Sequence, residues 1–100
     1  MEVKKGIGVS PGVVISTAVV LDAEDLLIPK RHIATLNDLT TAEAPLIGRM
    51  TMAAQCVAIQ EGIAQRGYRL VFNCNADAGQ TVFHIHLHLL GGRPLDWPPG

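Results

Sequence analysis

Three histidines stand at every second position in Phe83-His84-Ile85-His86-Leu87-His88-Leu89-Leu90. Successive side chains of a strand point to opposite faces. The spacing therefore predicts a strand over Val82–Leu90. It places His84, His86 and His88 on one face, about 7 Å apart in succession, and Ile85, Leu87 and Leu89 on the other, against a core. A strand needing only stability would carry β-branched or aromatic residues on its second face. Clustered imidazoles point instead to chemistry: a nucleophile, an acid or base, a phosphate contact or a metal ligand.

The remaining apolar pattern supplies the elements around this strand. Val13–Leu21 is apolar and β-branched and reads as a buried strand, preceded by the loop signals Gly6, Gly8, Pro11 and Gly12. Asp22-Ala23-Glu24-Asp25 reads as a turn, and Leu26–Pro29 as a second strand forming a hairpin with the first. Thr40 or Thr41 can cap a helix with Glu43 and Pro45 in its first turn. Leu46, Ile47, Met50, Ala53, Ala54, Val57 and Ala58 form its apolar stripe, with Arg49, Gln55 and Gln60 off it. The helix is expected to end near Gly62–Gly67, with Gly67 as C-cap. Tyr68–Asn73 reads as a strand, Asn75–Gly79 as a tight turn, and the Pro- and Gly-rich segment 91–100 as irregular. The order strand, strand, helix, strand, strand gives an α+β fold in one domain, residues 1–100. An antiparallel sheet of four to five strands carries one main helix on one face.

Composition narrows the function classes. One hundred residues suffice for one modest core, and 48% hydrophobic residues is a globular composition. A net charge of −1 argues against a general electrostatic nucleic-acid binder. The apolar runs are too short to span a bilayer, and Lys4 and Lys5 lead into Gly and Pro rather than a signal-peptide core. The expectation is a soluble, cytoplasmic protein that binds neither nucleic acid nor membrane. Cys56 and Cys74 lack metal-ligand spacing and read as two free thiols.

Two chemistries fit the histidine face. His-x-His on a strand is a familiar ligand pair for zinc, but no Cys, Asp or Glu stands near it in sequence to complete the set. A neutral imidazole is also a good nucleophile for phosphoryl transfer. The turn before the strand suits that chemistry. Gly79 permits close backbone approach, and Gln80 and Thr81 supply donors.

The segment Gly79-Gln80-Thr81-Val82-Phe83-His84-Ile85-His86-Leu87-His88-Leu89-Leu90-Gly91-Gly92-Arg93, ending Trp97-Pro98-Pro99-Gly100, closely resembles the histidine-triad (HIT) family in its nucleoside phosphoramidase branch. Ile28-Pro29-Lys30-Arg31-His32-Ile33 resembles that family's IPKxHI segment, and Gly67–Asn73 its next strand. The resemblance runs from Leu26 to Gly100. It implies an enzyme without metal or cofactor, acting on a purine nucleotide or nucleoside phosphoramidate through a nucleotidyl-histidine, in a homodimer. By position His86 is the implied nucleophile, and His88 contacts phosphate and assists proton transfer. His84 holds the nucleophile's ring through its backbone carbonyl, and His32 stands behind as a fourth histidine. Asn73, Gly79, Gln80 and Thr81 match phosphate-binding positions. Trp97 matches a tail residue reaching the partner's site, and the helix stripe and tail resemble the dimer surface. Thr81 stands where the family more often has Ser, and Ala78 where a second Gly is common.

Residues 1–25 depart from this pattern. Lys5-Gly6-Ile7-Gly8-Val9-Ser10-Pro11-Gly12-Val13-Val14-Ile15-Ser16 resembles the start of enzyme I of the phosphotransferase system, where it is a scaffold strand. The chain thus reads as a chimera joined near Asp22–His32, with Val13–Leu21 standing in for a lost first strand. The family's front section supplies much of the nucleobase pocket and a ribose-binding carboxylate. Asp22 and Asp25 are the local candidates to replace that carboxylate. The expectation is a HIT-like hydrolase with an intact phosphate end and an impaired nucleoside pocket; the alternative is an inactive nucleotide-binding or structural dimer.

Overall fold

Val13 and Ile15, Leu27, and Leu87 and Leu89 alternate with polar or less buried neighbours along three short segments. In the computed structural model all five lie at or below 2% exposure on one face of a sheet. The structure describes residues 2–4, 12–17 and 23–100. Five strands, β1 (Glu2–Lys4), β2 (Val13–Thr17), β3 (Ala23–Pro29), β4 (Tyr68–Phe72) and β5 (Leu87–Gly91), are ordered β1-β2-β3-β5-β4. Every neighbouring pair is antiparallel. One helix, α1 (Ala44–Gln60), covers the apolar face, as the α+β reading expects.

The helix begins and ends for local reasons. Thr40 Oγ1 accepts the Ala42 N–H at 3.2 Å, while the Glu43 carboxylate accepts the Thr40 N–H at 2.9 Å. This reciprocal box closes a 3-10 turn, Thr41–Glu43, that leads directly into α1 with Pro45 in its first turn. Leu46, Met50, Ala53, Ala54, Val57 and Ala58 are all buried against the sheet. Six of the seven stripe residues thus belong to the chain's own core, and Ile47 packs half-buried against it. At the other end the Gly62 N–H reaches Ile59 O and the Ile63 N–H reaches Ala58 O. This is the 5→2, 6→1 pair of a Schellman stop, with Gly62 left-handed at φ +75°. The helix thus ends one turn before the expected Gly67 cap, and Gly67 (φ +116°) leads into β4 instead.

The predicted turn at residues 22–25 is corrected over its last three residues. Ala23–Asp25 belong to β3, because that strand is paired on both sides, Asp25 lying opposite Thr17 of β2 and Leu89 of β5. Asp25 shares the core face with Leu27 and is only 2% exposed. Ladder bonds on both edges override the local turn preference of an acidic run. The expected strand residues 18–21 and Asp22 lie outside the described residues, as does the loop read at residues 6–12 apart from Gly12. Cys56 and Cys74 are free thiols.

Candidate active site on the open face of the sheet

Opposite the helix, the sheet presents residues that alternate with the core. Leu26 and Ile28 of β3 are half-buried between Asp25, Leu27 and Pro29. The register pairs Leu26 with His88 and Val71 of β4 with His88. Continuing that register places Asn73 opposite His86.

The histidine strand is shorter than the sequence predicts. The ladder begins at Leu87, and residues 82–86 precede it. The cause is Pro29. By register it would face Ile85, but proline has no N–H to donate, and its carbonyl instead accepts from the His84 ring. The Ile85 N–H turns to Ile33 O at 2.8 Å. Alternation survives without the ladder: Ile85, Leu87 and Leu89 are buried, and His84, His86 and His88 half-buried between them.

The four histidines form two edge-to-face pairs rather than one evenly spaced row. His86 and His88 have ring centroids 4.9 Å apart, and His32 and His84 5.1 Å. Hydrogen bonds fix two of the rings. A carbonyl oxygen only accepts, so each ring nitrogen facing one must carry its proton. His84 donates from Nε2 to Pro29 O at 2.8 Å, and His86 donates from Nδ1 to His84 O at 2.8 Å. A neutral His86 therefore holds its lone pair on Nε2. That arrangement suits attack on an electrophile by Nε2, with the ring orientation set by the preceding histidine's backbone.

The other sequence-selected residues divide. Asn75 (φ 66°) and Gly79 (φ 85°) bracket a 3-10 turn, Ala76–Ala78. A Cβ at Gly79 would meet nothing within 4 Å, but the left-handed backbone itself favours glycine there. Thr81 is exposed beside this turn, and Asn73 half-buried just past β4. Gln80 does not fit the expected role of a free donor. It is 6% exposed, and its amide donates to Ala34 O (2.8 Å) and Val82 O (3.1 Å) while accepting the Asn75 N–H (2.8 Å). Trp97 lies apart on the tail, 81% exposed, with the Arg69 guanidinium 5.9 Å from its ring. Asp25 cannot act as a ribose carboxylate on the histidine face, because it points into the core.

An apolar cleft of about 180 Å³ opens beside His84 and His86, walled by Leu26, Ile28 and Val82. Sequence reading missed these walls; the alternation of β3 against Leu27 was the signal available. Arg31 is exposed apart from a 3.7 Å ion pair to Glu43. Among the described residues, no group of three or more His, Cys, Asp or Glu side chains is arranged to hold a metal ion. No helix among them is long and apolar enough to cross a membrane.

With this geometry in place, comparisons with known proteins give a consistent result. The family model described as HIT domain matches residues 21–95. The purine nucleoside phosphoramidase of Escherichia coli K12 is 53% identical over 70 residues, covering 70% of this chain and 59% of that protein. An uncharacterised HIT-like protein of Synechococcus elongatus is 48% identical over 75 residues, covering 75% of this chain and 65% of that one. The chain thus spans roughly six-tenths of the length of the curated relatives it matches. A HIT family hydrolase from Legionella pneumophila superposes with a TM-score of 0.89 at 41% identity, covering 98% of this chain and 87% of the other. A histidine triad protein from Clostridium difficile gives 0.85 at 26% identity, covering 95% and 82%.

Proposed function

This chain belongs to the HIT domain family, and from that premise we propose that it hydrolyses purine nucleoside phosphoramidates or related nucleotides through a nucleotidyl-histidine on His86. The observation that carries the reading is the His86 Nδ1–H bond to His84 O, which leaves Nε2 as the lone pair. His86 Nε2 attacks the α-phosphorus, the P–N bond breaks, and the leaving amine takes a proton delivered from the His88 side. Water then attacks the phosphorus and returns a proton to the His88 side, the P–Nε2 bond breaks, and the nucleoside monophosphate leaves neutral His86 behind. Splitting one displacement in two lowers each barrier. The phosphate is held by Asn73, Gly79 and Thr81, and charge placement rather than bond-making by the protein supplies most of the rate. His32, edge-to-face with the His84 ring, steadies the residue whose backbone carbonyl orients the nucleophile. The apolar cleft at Leu26, Ile28 and Val82 takes the hydrophobic part of the substrate.

The nucleoside end is impaired in this reading. The family model begins only at residue 21, and the local replacement carboxylate Asp25 faces the core. Weak turnover with poor base selectivity follows. The same observation favours a second reading, a chimera that binds a purine monophosphate and folds as a homodimer without turning over. Dimerisation is supported by exposed Met52, Ile59 and Trp97 and by β4 at the sheet edge. Sedimentation showing only a 10.7 kDa species would refute it.

Hydrolysis of a fluorogenic adenosine phosphoramidate by wild type and His86→Ala separates the readings. Turnover lost in His86→Ala, with an acid-trapped nucleotidyl-protein in wild type alone, supports the enzyme. Equal activity in both proteins sinks the His86 assignment. Saturable calorimetric binding of a purine monophosphate without turnover supports the binding module.

A further inference from the structure

We infer that Gln80 is the positioning residue of the histidine face, acting through backbone atoms and not on the substrate. The inference rests on the reading above, since Gly79 and Thr81, its flanking residues, are the proposed phosphate contacts.

Gln80 is the one buried side chain in an exposed stretch, residues 75–83. Both amide hydrogens are engaged, by Ala34 O and Val82 O, and Oε1 accepts the Asn75 N–H. Its backbone N–H also returns to Asn75 O at 3.1 Å. One side chain therefore joins three segments: the turn at Asn75, the stretch after His32, and the entry to the histidine segment at Val82. The stretch after His32 is in turn fixed to that segment by the Ile85 N–H to Ile33 O bond. Together these bonds make one frame carrying His32, Gly79, Thr81, His84 and His86.

The frame works against a local backbone preference. Asn75 has φ 66° and ψ −173°, a region essentially reserved for glycine, and such a conformation persists only where the surroundings enforce it. Two bonds from Gln80 enforce it, one on Asn75 N–H and one on its carbonyl. Burying the side chain of Gln80 also leaves Gly79 and Thr81 on the accessible side. Without the amide, three backbone groups lose partners, the turn relaxes, and the phosphate contacts shift relative to His86 Nε2.

Two variants and two readouts test this. In Gln80→Ala, kcat/KM for the adenosine phosphoramidate should fall about ten- to a hundred-fold, the range for sub-ångström to ångström misplacement, with α1 still folded by circular dichroism. Gln80→Glu keeps the shape and the acceptor for Asn75. Ionised, it opposes a carboxylate oxygen to the Ala34 and Val82 carbonyls; protonated, it donates to one of them. Its activity relative to wild type should therefore rise as pH falls, while that of Gln80→Ala stays flat. All three partners are backbone atoms and do not titrate, and the four histidines are common to all three proteins.

The second readout is independent of turnover. In wild type the Asn75 amide should be protected from hydrogen exchange; in Gln80→Ala it should lose that protection, and the His86 ring ¹⁵N signals should shift while α1 amides do not. Unchanged exchange at Asn75 and unchanged His86 signals would overturn the inference, whether or not wild type is active. An inactive wild type with the expected exchange pattern would overturn the enzymatic reading and leave the positioning role standing.

Discussion

Gly91→Ala tests how tightly the strand bearing His88 is seated. Gly91 is buried at the end of β5, and a Cβ there would lie 2.6 Å from Ile63 Cδ1, 3.5 Å from Ile63 Cβ and 3.4 Å from Gly67 O. The last two distances are tolerable; the first requires Ile63 to move, and Ile63 is only 6% exposed. Overpacking of this kind costs about 1–3 kcal/mol, less up to about 1 kcal/mol from replacing glycine within a strand. Ile63→Val removes the offending Cδ1 and by itself costs about 0.5–1.5 kcal/mol. In that background Gly91→Ala should cost almost nothing, because its Cβ fills the vacated space. Urea denaturation of the four proteins in a double-mutant cycle reads the coupling, expected to be at least about 1 kcal/mol in the favourable direction. Additivity within about 0.5 kcal/mol would show that the Cβ does not meet Ile63, and the packing argument would fail.

Other perturbations reach different parts of the molecule. Asn75→Gly should stabilise the fold by about 1 kcal/mol, since relief of a 1–3 kcal/mol backbone strain outweighs the added freedom of glycine in the unfolded chain; a lower thermal midpoint would contradict this. Glu43 is held below its ordinary value of 4.5 first by the Thr40 backbone N–H, then by the Thr40 hydroxyl and Arg31, against the opposing effect of burial. Its contribution is therefore full above 4.5 and is lost as pH falls through the lower folded value. Glu43→Gln should flatten the stability profile in that acid window and leave its shape near neutrality unchanged. Arg69→Ala removes both the cation–π contact and the 3.1 Å bond to Asp96 O. The emission of Trp97, the sole tryptophan, should change with little loss of stability, about 0.5–1 kcal/mol at so exposed a site. Ile28→Ala widens the cleft beside His86 and should raise KM for the adenosine phosphoramidate several-fold with kcat little changed, as expected when binding common to ground and transition states is removed.

Much of the fold is legible in the order of residues. The 3/4 spacing from Leu46 to Ala58 marked a helix and its buried stripe, Thr40 and Glu43 marked its start, and alternation through Ile85, Leu87 and Leu89 marked the core side of the histidine segment. These signals are local, because each depends on periodicity or on a cap a few residues long. The errors fall where a distant partner decides. Asp25 reads as a turn residue until β2 and β5 pair on both sides of it. His84 and His86 read as ladder residues until Pro29, far away in sequence, denies the ladder its N–H.

Residue order alone marks the candidates for the chemistry: the three alternating histidines, His32, and the glycine-bearing turn before them. The tertiary structure alone decided their states. The His86 tautomer depends on a carbonyl within reach of Nδ1, the pairing of His32 with His84 on the meeting of two segments, and the confinement of Gln80 on acceptors at Ala34 and Val82. Residue type fixes which protons and lone pairs exist, but only three-dimensional proximity fixes where each one points, because a hydrogen bond is short and directional.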